Sequence, residues 1–312
     1  MSLLRAFVCS WLALLCVSTS VFAQQTHLLV ITGVPGDDEH AKKFEQWATT
    51  FIETAKKKEA VSESNITFLS GSGANKPAVE KAFADIGTKV KPNDELFVLL
   101  IGHGSFDGTT AAFNIPGPDL TADDYAKLLS KFSAQRVVFV NTSSASGAFL
   151  KPLAAPGRII VTATKTGGER NETEFGQYFT AAFGDEAADR DRNGHVSIAE
   201  AFDYAKTKVT QAFQQKGLLL TEHAVMDDGG EGRLAATVFL GIGRADAALN
   251  ADLSDPDTKK LVDERDAIQR NIEALQLQKA SMSPPDYESK MEALLTELAL
   301  KTKAIRDRQA KK

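Results

Sequence analysis

A histidine and a cluster of serines each follow an apolar run of the sequence. His103 comes shortly after the run 96–101, and Ser144 lies in a serine-rich segment after the run 136–140. A hydroxyl beside an imidazole that takes its proton is the minimal arrangement for nucleophilic attack on a carbonyl carbon. Each feature alone is more typical of structure, because histidines at strand ends are usually hydrogen-bonded and serine-rich turns usually cap helices. Chemistry therefore requires that the two lie together.

The segment 189–200 has the spacing of a calcium-binding loop, with glycine at its sixth position. Ca²⁺ takes about six to eight hard oxygen ligands around a sharp turn. In the competing interpretation Ser197 and Glu200 form a capping box at the start of a helix. Arg190 and Arg192 would also weaken the affinity for a cation. The predicted ligands are Asp189, Asp191, Asn193, the carbonyl of His195, Ser197 through a water, and bidentate Glu200.

Apolar runs rich in β-branched residues alternate with amphipathic stretches from residue 27 onward. Runs bounded by Gly, Pro, Asn or Ser predict strands, and apolar residues at helical spacing predict helices between them. This alternation is typical of a mostly parallel sheet with helices on both faces, so the predicted fold class is α/β with three layers. The predicted strands are 27–34, 66–69, 96–101, 136–140 and 159–164, and the helices are marked by Phe44, Trp47 and Phe51, by Val79, Phe83 and Ile86, by Tyr125, Leu128 and Leu129, and by Phe175, Tyr178 and Phe179.

Ligands of an open parallel sheet gather at the carboxyl ends of its strands. If the strands 96–101 and 136–140 are neighbours, His103 and Ser144 share one rim of the sheet. The sequence does not fix the strand order. If the turn is shifted by one residue, Ser143 replaces Ser144 at that rim.

The order of these features resembles that of the caspase-hemoglobinase peptidases, and most closely that of legumain-like, peptidase C13-like bacterial exported proteins. In that clan a strand that ends in His-Gly precedes a second strand that ends in an acidic residue, Ala, Cys, any residue, Ser and Gly. Here Thr142 stands in the acidic position, Ser144 stands in the cysteine position, and Ser146 and Gly147 match. The resemblance covers roughly residues 27–240.

The resemblance implies the site of a cysteine endopeptidase. It makes His103 the base, places Ser144 where the nucleophile belongs, and gives the N–H of Gly104 a part in holding the oxyanion. A thiol with a pKa of about 8.5 is partly ionised at neutral pH, whereas a serine hydroxyl needs a base that a further group holds in the right tautomer. No residue near His103 in the sequence clearly supplies such a carboxylate, and Asp107, Asp119 and Asp123 are left open as candidates.

The missing thiol therefore favours a degenerate site. The predicted function is a non-catalytic pseudopeptidase that acts as a binding or scaffolding module for a peptide or protein ligand. The alternative is an active peptidase or other hydrolase that uses a Ser144–His103 dyad.

The first 23 residues have the pattern of a secretory signal peptide. A basic residue precedes an apolar stretch at 6–17, and small residues up to Ala23 offer a cleavage site. The stretch is shorter than the roughly 20 residues of a membrane-spanning helix. Both cysteines, Cys9 and Cys16, lie in this segment, so the mature chain is predicted to have no thiol. The chain is predicted to be exported to the bacterial periplasm or beyond, with no membrane span after cleavage.

The sequence pattern changes after about residue 250. Apolar residues at heptad spacing on both sides of Ser283-Pro284-Pro285-Asp286 predict an antiparallel, coiled-coil-like helical hairpin. The alternative is that its apolar seam recruits a partner or forms an oligomer. The predicted domains are a signal peptide at 1–23, a caspase/legumain-like domain at 24–248 and the hairpin at 249–312. The heptad residues are Leu261, Ile268, Ile272 and Leu275, then Tyr287, Met291, Leu294, Leu298 and Ile305.

Charge and composition narrow the list of partners. The formal net charge of −5 argues against nucleic acid, whose phosphate backbone demands clustered Lys and Arg. The histidines lack paired zinc-ligand spacing. Calcium is thus the one predicted cofactor, and no organic cofactor is predicted.

Overall fold

The computed structural model describes residues 25–92, 94–132, 136–190, 192, 194–230, 232, 234–241, 255–277 and 282–309. The strands are β1 (Thr26–Thr32), β2 (Ile66–Leu69), β3 (Glu95–Ile101), β4 (Gly104–Phe106), β5 (Ala111–Phe113), β6 (Leu120–Thr121), β7 (Arg136–Asn141), β8 (Arg158–Thr162) and β9 (Val225–Asp227). The helices are α1 (Asp38–Lys57), α2 (Lys76–Gly87), α3 (Ala122–Leu129), α4 (Leu150–Leu153), α5 (Phe175–Ala182), α6 (Ile198–Gln215), α7 (Pro256–Leu277) and α8 (Pro284–Gln309).

The central sheet has the order β2–β1–β3–β7–β8–β9. The first five of these strands run parallel, and β9 pairs antiparallel to β8. Every residue of β1 and β3 is buried, as expected for parallel strands that are covered on both faces. The predicted fold class is confirmed.

Successive residues of each strand point to opposite faces and build two separate cores. Leu28 and Val30 pack with α1, α5 and α6 on one face. Leu29 and Ile31 pack with α2, α3 and α4 on the other face. The three layers therefore follow directly from continuous apolar strands that alternate with amphipathic helices.

Short strands at the edges escaped the sequence analysis. The strand β9 has three residues, and β4, β5 and β6 form a second, antiparallel sheet of strands with two or three residues each. Segments of this length are too short to show a hydrophobic period, and the neighbouring strands define them. The strand predicted at 27–34 ends at Thr32, where the chain turns into the loop before α1.

The helices α7 and α8 form an antiparallel hairpin. Arg308, near the end of α8, contacts Asp255 and Asp257 at the start of α7, with Arg308 Nη2 2.7 Å from Asp257 Oδ2. Midway along the pair, Lys301 Nζ lies 2.6 Å from Glu264 Oε2. Ile268, Ile272, Leu275 and Ile305 of the predicted seam are buried.

Two predicted features fall outside the described residues. The signal peptide at 1–23 is one of them, and the predicted boundary near residue 248 is the other. Among the helices that the structure describes, none is both long and apolar enough to cross a bilayer.

Candidate functional site

The strands β3 and β7 are parallel neighbours, with Leu100 paired to Asn141. The chain segments that follow them therefore meet at one rim of the sheet. Ser144 Oγ donates a hydrogen bond to the Gly104 carbonyl at 3.0 Å and accepts one from the Gly104 N–H at 3.3 Å. The structure thus brings together the two segments that the sequence predicted to share a rim.

Gly104 is required by this close approach. An ideal Cβ placed on it would lie 2.3 Å from the Ser144 carbonyl oxygen and 2.6 Å from Ser143 Oγ. A larger residue would push the serine turn away from the end of β3. The predicted oxyanion donor is thus also the residue on which Ser144 rests.

Ser144, and not Ser143, faces the rim. Ser143 is fully buried, and its Oγ donates to Asn141 Oδ1 at 2.7 Å. Ser144 is 7% exposed, and its hydroxyl points to Gly104. Thr142, in the acidic position of the family pattern, donates from Oγ1 to the Leu100 carbonyl at 2.8 Å and so joins β7 to β3.

The imidazole of His103 is held by the loop after β1. Its Nε2 lies 3.1 Å from the Pro35 carbonyl oxygen, and because a carbonyl only accepts, this contact assigns the proton to Nε2. Nδ1 remains as the atom that can accept a proton. Within the described part of the chain, no hydrogen bond joins the His103 ring to a serine hydroxyl or to a carboxylate.

The carboxylates that the sequence left open as partners of His103 have other contacts or lie exposed. Asp107 accepts hydrogen bonds from the N–H groups of Thr109 and Thr110, and Asp119 accepts one from Ile115. Asp123 is exposed in the first turn of α3. In the structure, none of the three is hydrogen-bonded to His103.

A second histidine lies beside His103 and was missed by the sequence analysis. The rings of His40 and His103 meet edge to face with centroids 5.1 Å apart, and Phe44 packs on the other side of His103 at 5.3 Å. His40 Nδ1 lies 2.8 Å from Asp37, the N-cap of α1, and Nε2 lies 3.1 Å from Glu172 Oε1. These two carboxylates, Asp37 first, raise the pKa of His40 above its ordinary value.

The signal for His40 was present but could not be interpreted. An acidic residue followed three positions later by histidine marks the start of α1. The contact of His40 with His103 depends on the pairing of β1 with β3, which places Thr32 beside Ile101. Strand order is not written in a single sequence.

The turn after Ser144 sits on the loop that follows β8. Ala145 has left-handed backbone angles, with φ of 57°, and its N–H donates to the Glu169 carbonyl at 2.7 Å. The Gly147 N–H donates to Thr164 Oγ1 at 2.9 Å. This seating orients Ser144 without the help of His103.

The predicted calcium loop is only partly described, since Asp191 and Asn193 lie outside the described residues. Asp189 Oδ2 accepts from the Gly194 N–H at 2.8 Å, which closes the turn. Glu200 and Ser197 form the capping box of α6 that the competing interpretation predicts. Among the described residues, no cluster of three or more His, Cys, Asp or Glu side chains is arranged to hold a metal ion. Calcium binding remains a prediction.

The fold and the rim define the class of the protein, which is the caspase-hemoglobinase class. The model of the peptidase C13 family matches residues 48–226, more than half of the chain. The chain therefore belongs to the peptidase C13 family.

Comparisons with individual proteins are more distant. Among solved structures, the chain is similar to that of the Drosophila initiator caspase Dronc, with 11% sequence identity and a TM-score of 0.43. This similarity covers 65% of the present chain and 79% of the caspase chain. No curated protein matches the chain with statistical significance.

Proposed function

We propose that this member of the peptidase C13 family is an exported, non-catalytic pseudopeptidase that uses the peptidase rim as a binding or scaffolding module. One observation carries the proposal. The Ser144 hydroxyl donates a hydrogen bond to the Gly104 carbonyl and accepts one from the Gly104 N–H, and within the described residues no hydrogen bond joins it to the His103 ring.

The chemistry of the hydroxyl supports this proposal. Attack by a serine requires that a base within about 2.6 to 3.2 Å takes the proton as the bond to carbon forms. Here that proton is directed at the Gly104 carbonyl, which is not a base. Serine proteases lose about ten-thousand-fold in rate when the carboxylate that orients their histidine is neutralised. His103 has no such carboxylate among the described residues.

The oxyanion site gives a second argument. The Gly104 N–H, which would hold a developing negative charge on a substrate, donates to Ser144 Oγ instead. A bound carbonyl oxygen would have to displace the serine hydroxyl from this donor. The arrangement therefore disfavours turnover.

The edge of the small sheet offers a place for a ligand. The strand β4 begins at Gly104 and pairs only with β5 in the described part of the chain. An extended peptide can add to such an edge through main-chain hydrogen bonds. A peptide on β4 would pass next to Ser144, His103 and the pair formed by His40 and Glu172.

The test uses the mature chain and reporter peptides with Asn, Asp or Arg at the cleavage position. We expect the wild type and Ser144→Ala to release no more fluorophore than buffer does, and we expect both to bind the same peptides in fluorescence anisotropy. Ser144→Cys is expected to add cleavage, because a thiol ionises without an oriented histidine. Cleavage by the wild type that Ser144→Ala abolishes would establish the hydrolase alternative. Absence of both cleavage and binding would overturn the binding role.

We also propose that the loop 189–200 binds Ca²⁺. At a calcium concentration of about 100 times the dissociation constant, binding adds about 2.7 kcal/mol to the stability of the folded chain. This gain should raise Tm by roughly 5 to 10 °C for a domain of this size. Differential scanning calorimetry with calcium and with chelator measures the shift.

The variant Glu200→Gln separates the two interpretations of the loop. It lowers Tm in chelator because Glu200 also accepts hydrogen bonds from Ser197 and Arg190, so the relevant quantity is each protein's own calcium-dependent shift. We expect Glu200→Gln to lose that shift and the exposed Glu186→Gln to keep it. A wild type without a shift, or a shift that persists in Glu200→Gln, would show that the loop is only a helix cap.

A further inference from the structure

A cavity of about 300 Å³ lies between α6, the segment 220–225 and the loop after β8. None of the residues of the Ser144 rim lines it. Its apolar wall includes Phe175, Val209 and Leu220, and its volume lies at the lower end of the range for small-molecule sites. At roughly 30 Å³ for each water-sized group, the cavity holds about ten non-hydrogen atoms.

Two lysines at this cavity have no acidic partner among the residues that the structure describes. Lys165 follows β8 and Lys206 lies on α6, and both line the cavity with exposed side chains. Within the described residues, neither ammonium group forms a salt bridge, although Lys206 lies over the Phe202 ring at 5.7 Å. Other lysines nearby are paired, as Lys216 is with Glu174. The cavity therefore combines an apolar wall with unneutralised positive charge.

The acidic residue of the cavity does not cancel this charge. Glu222 is 4% exposed, and its two carboxyl oxygens accept hydrogen bonds from the N–H groups of Glu174 and Phe175, each at 2.8 Å. Burial raises the pKa of Glu222 to about 7, so a large fraction of this carboxyl is neutral at physiological pH. His223, also at the cavity, has its Nδ1 paired with Glu169 at 2.9 Å.

We propose that this cavity binds a linear aliphatic monocarboxylate of about six to ten carbon atoms, with the chain on the apolar wall and the carboxylate at Lys165 and Lys206. Each feature of the proposed ligand corresponds to a feature of the cavity. The volume limits the chain length, the wall selects an unbranched apolar chain, and the two ammonium groups select one negative charge over none or a positive one.

Isothermal titration calorimetry of the full mature chain tests this inference with sodium octanoate as the probe. We expect one molecule bound per chain. Butyrate should bind at least about tenfold more weakly because it leaves most of the wall uncovered, and octylammonium should give no saturable heat. Equal binding of octanoate and octylammonium would contradict the role of the lysines.

Variants locate the binding in the cavity. The double substitution Lys165→Gln and Lys206→Gln should weaken octanoate binding at least about tenfold. The control is Lys208→Gln, which should leave octanoate binding unchanged because the Lys208 ammonium group lies over the Tyr204 ring. Thr210→Met, which fills the cavity from α6, should also weaken it. Octanoate binding that neither change affects would overturn the inference. So would the absence of binding with octanoate in 10-fold molar excess at concentrations up to about 10 mM, where small ligands bind measurably.

Discussion

Glu95→Gln is expected to stabilise the protein at pH 8 relative to wild type by several kcal/mol more than it does at pH 5. Glu95 begins β3, is 2% exposed, and its Oε1 has no hydrogen-bond partner among the described residues. Burial raises the pKa of its carboxyl to about 8, and the charge of Arg136 offsets this only in part. A glutamine of the same shape carries no proton to lose.

The direction follows from the protons that each state binds. Between pH 4.5, the ordinary pKa of a glutamate, and pH 8, the unfolded chain releases the proton that the folded chain keeps. The contribution of Glu95 to stability is therefore complete below pH 4.5 and is lost as the pH rises through this window, by about 1.4 kcal/mol per pH unit. From pH 5 to pH 8 the loss reaches several kcal/mol in the wild type and is absent in the variant.

Urea unfolding at the two pH values measures this effect. The two proteins differ only at residue 95, so the difference between variant and wild type reports the ionisation of Glu95. The exposed Glu80→Gln on α2 is the matched control, and its difference from wild type should be the same at pH 5 and pH 8. An equal difference for Glu95→Gln at the two pH values would contradict a protonated Glu95.

Gly147→Ala is expected to destabilise the protein by about 3 kcal/mol or more. An ideal Cβ on Gly147 would lie 2.3 Å from both the Lys165 carbonyl carbon and the Thr166 nitrogen. These are backbone atoms that cannot turn aside, so the serine turn must separate from the loop after β8. Overpacking of this kind costs about 1 to 3 kcal/mol, and more when backbone has to move.

Gly73→Ala is the matched control for that change. Gly73 has no heavy atom within 4 Å of an added Cβ and does not have left-handed backbone angles. The free energy of unfolding of the Gly73→Ala variant should stay within about 1 kcal/mol of that of the wild type. Similar unfolding midpoints for the two alanine variants would show that the turn is not seated as described.

The sheet and its two cores could be predicted because burial on both faces leaves a direct record in the sequence. All five parallel strands appear as apolar runs, and the helices that cover them repeat their apolar residues at helical spacing. The strands β4, β5, β6 and β9 left no such record, since their pairing partners define them. Strand order is likewise a property of tertiary packing.

Only those features of the candidate site that depend on the order of residues along the chain could be predicted. His103 and Ser144 were found because each follows a predicted strand. The hydrogen bonds of Ser144 to Gly104 depend on the direction of a turn, and the contact of His40 with His103 depends on the adjacency of β1 and β3. The sequence left the carboxylate partner of His103 open for the same reason, and in the structure Asp107 and Asp119 accept hydrogen bonds from N–H groups in their own loops.

The reactivity of the Ser144 hydroxyl tests the central claim most directly. Intact-mass spectrometry of the mature wild type after incubation with a fluorophosphonate reports whether any serine is activated. We expect an unlabelled wild type, identical to Ser144→Ala, because the hydroxyl donates its proton to the Gly104 carbonyl and, within the described residues, no hydrogen bond joins it to the His103 ring. Stoichiometric labelling that maps to Ser144 and disappears in His103→Ala would contradict it.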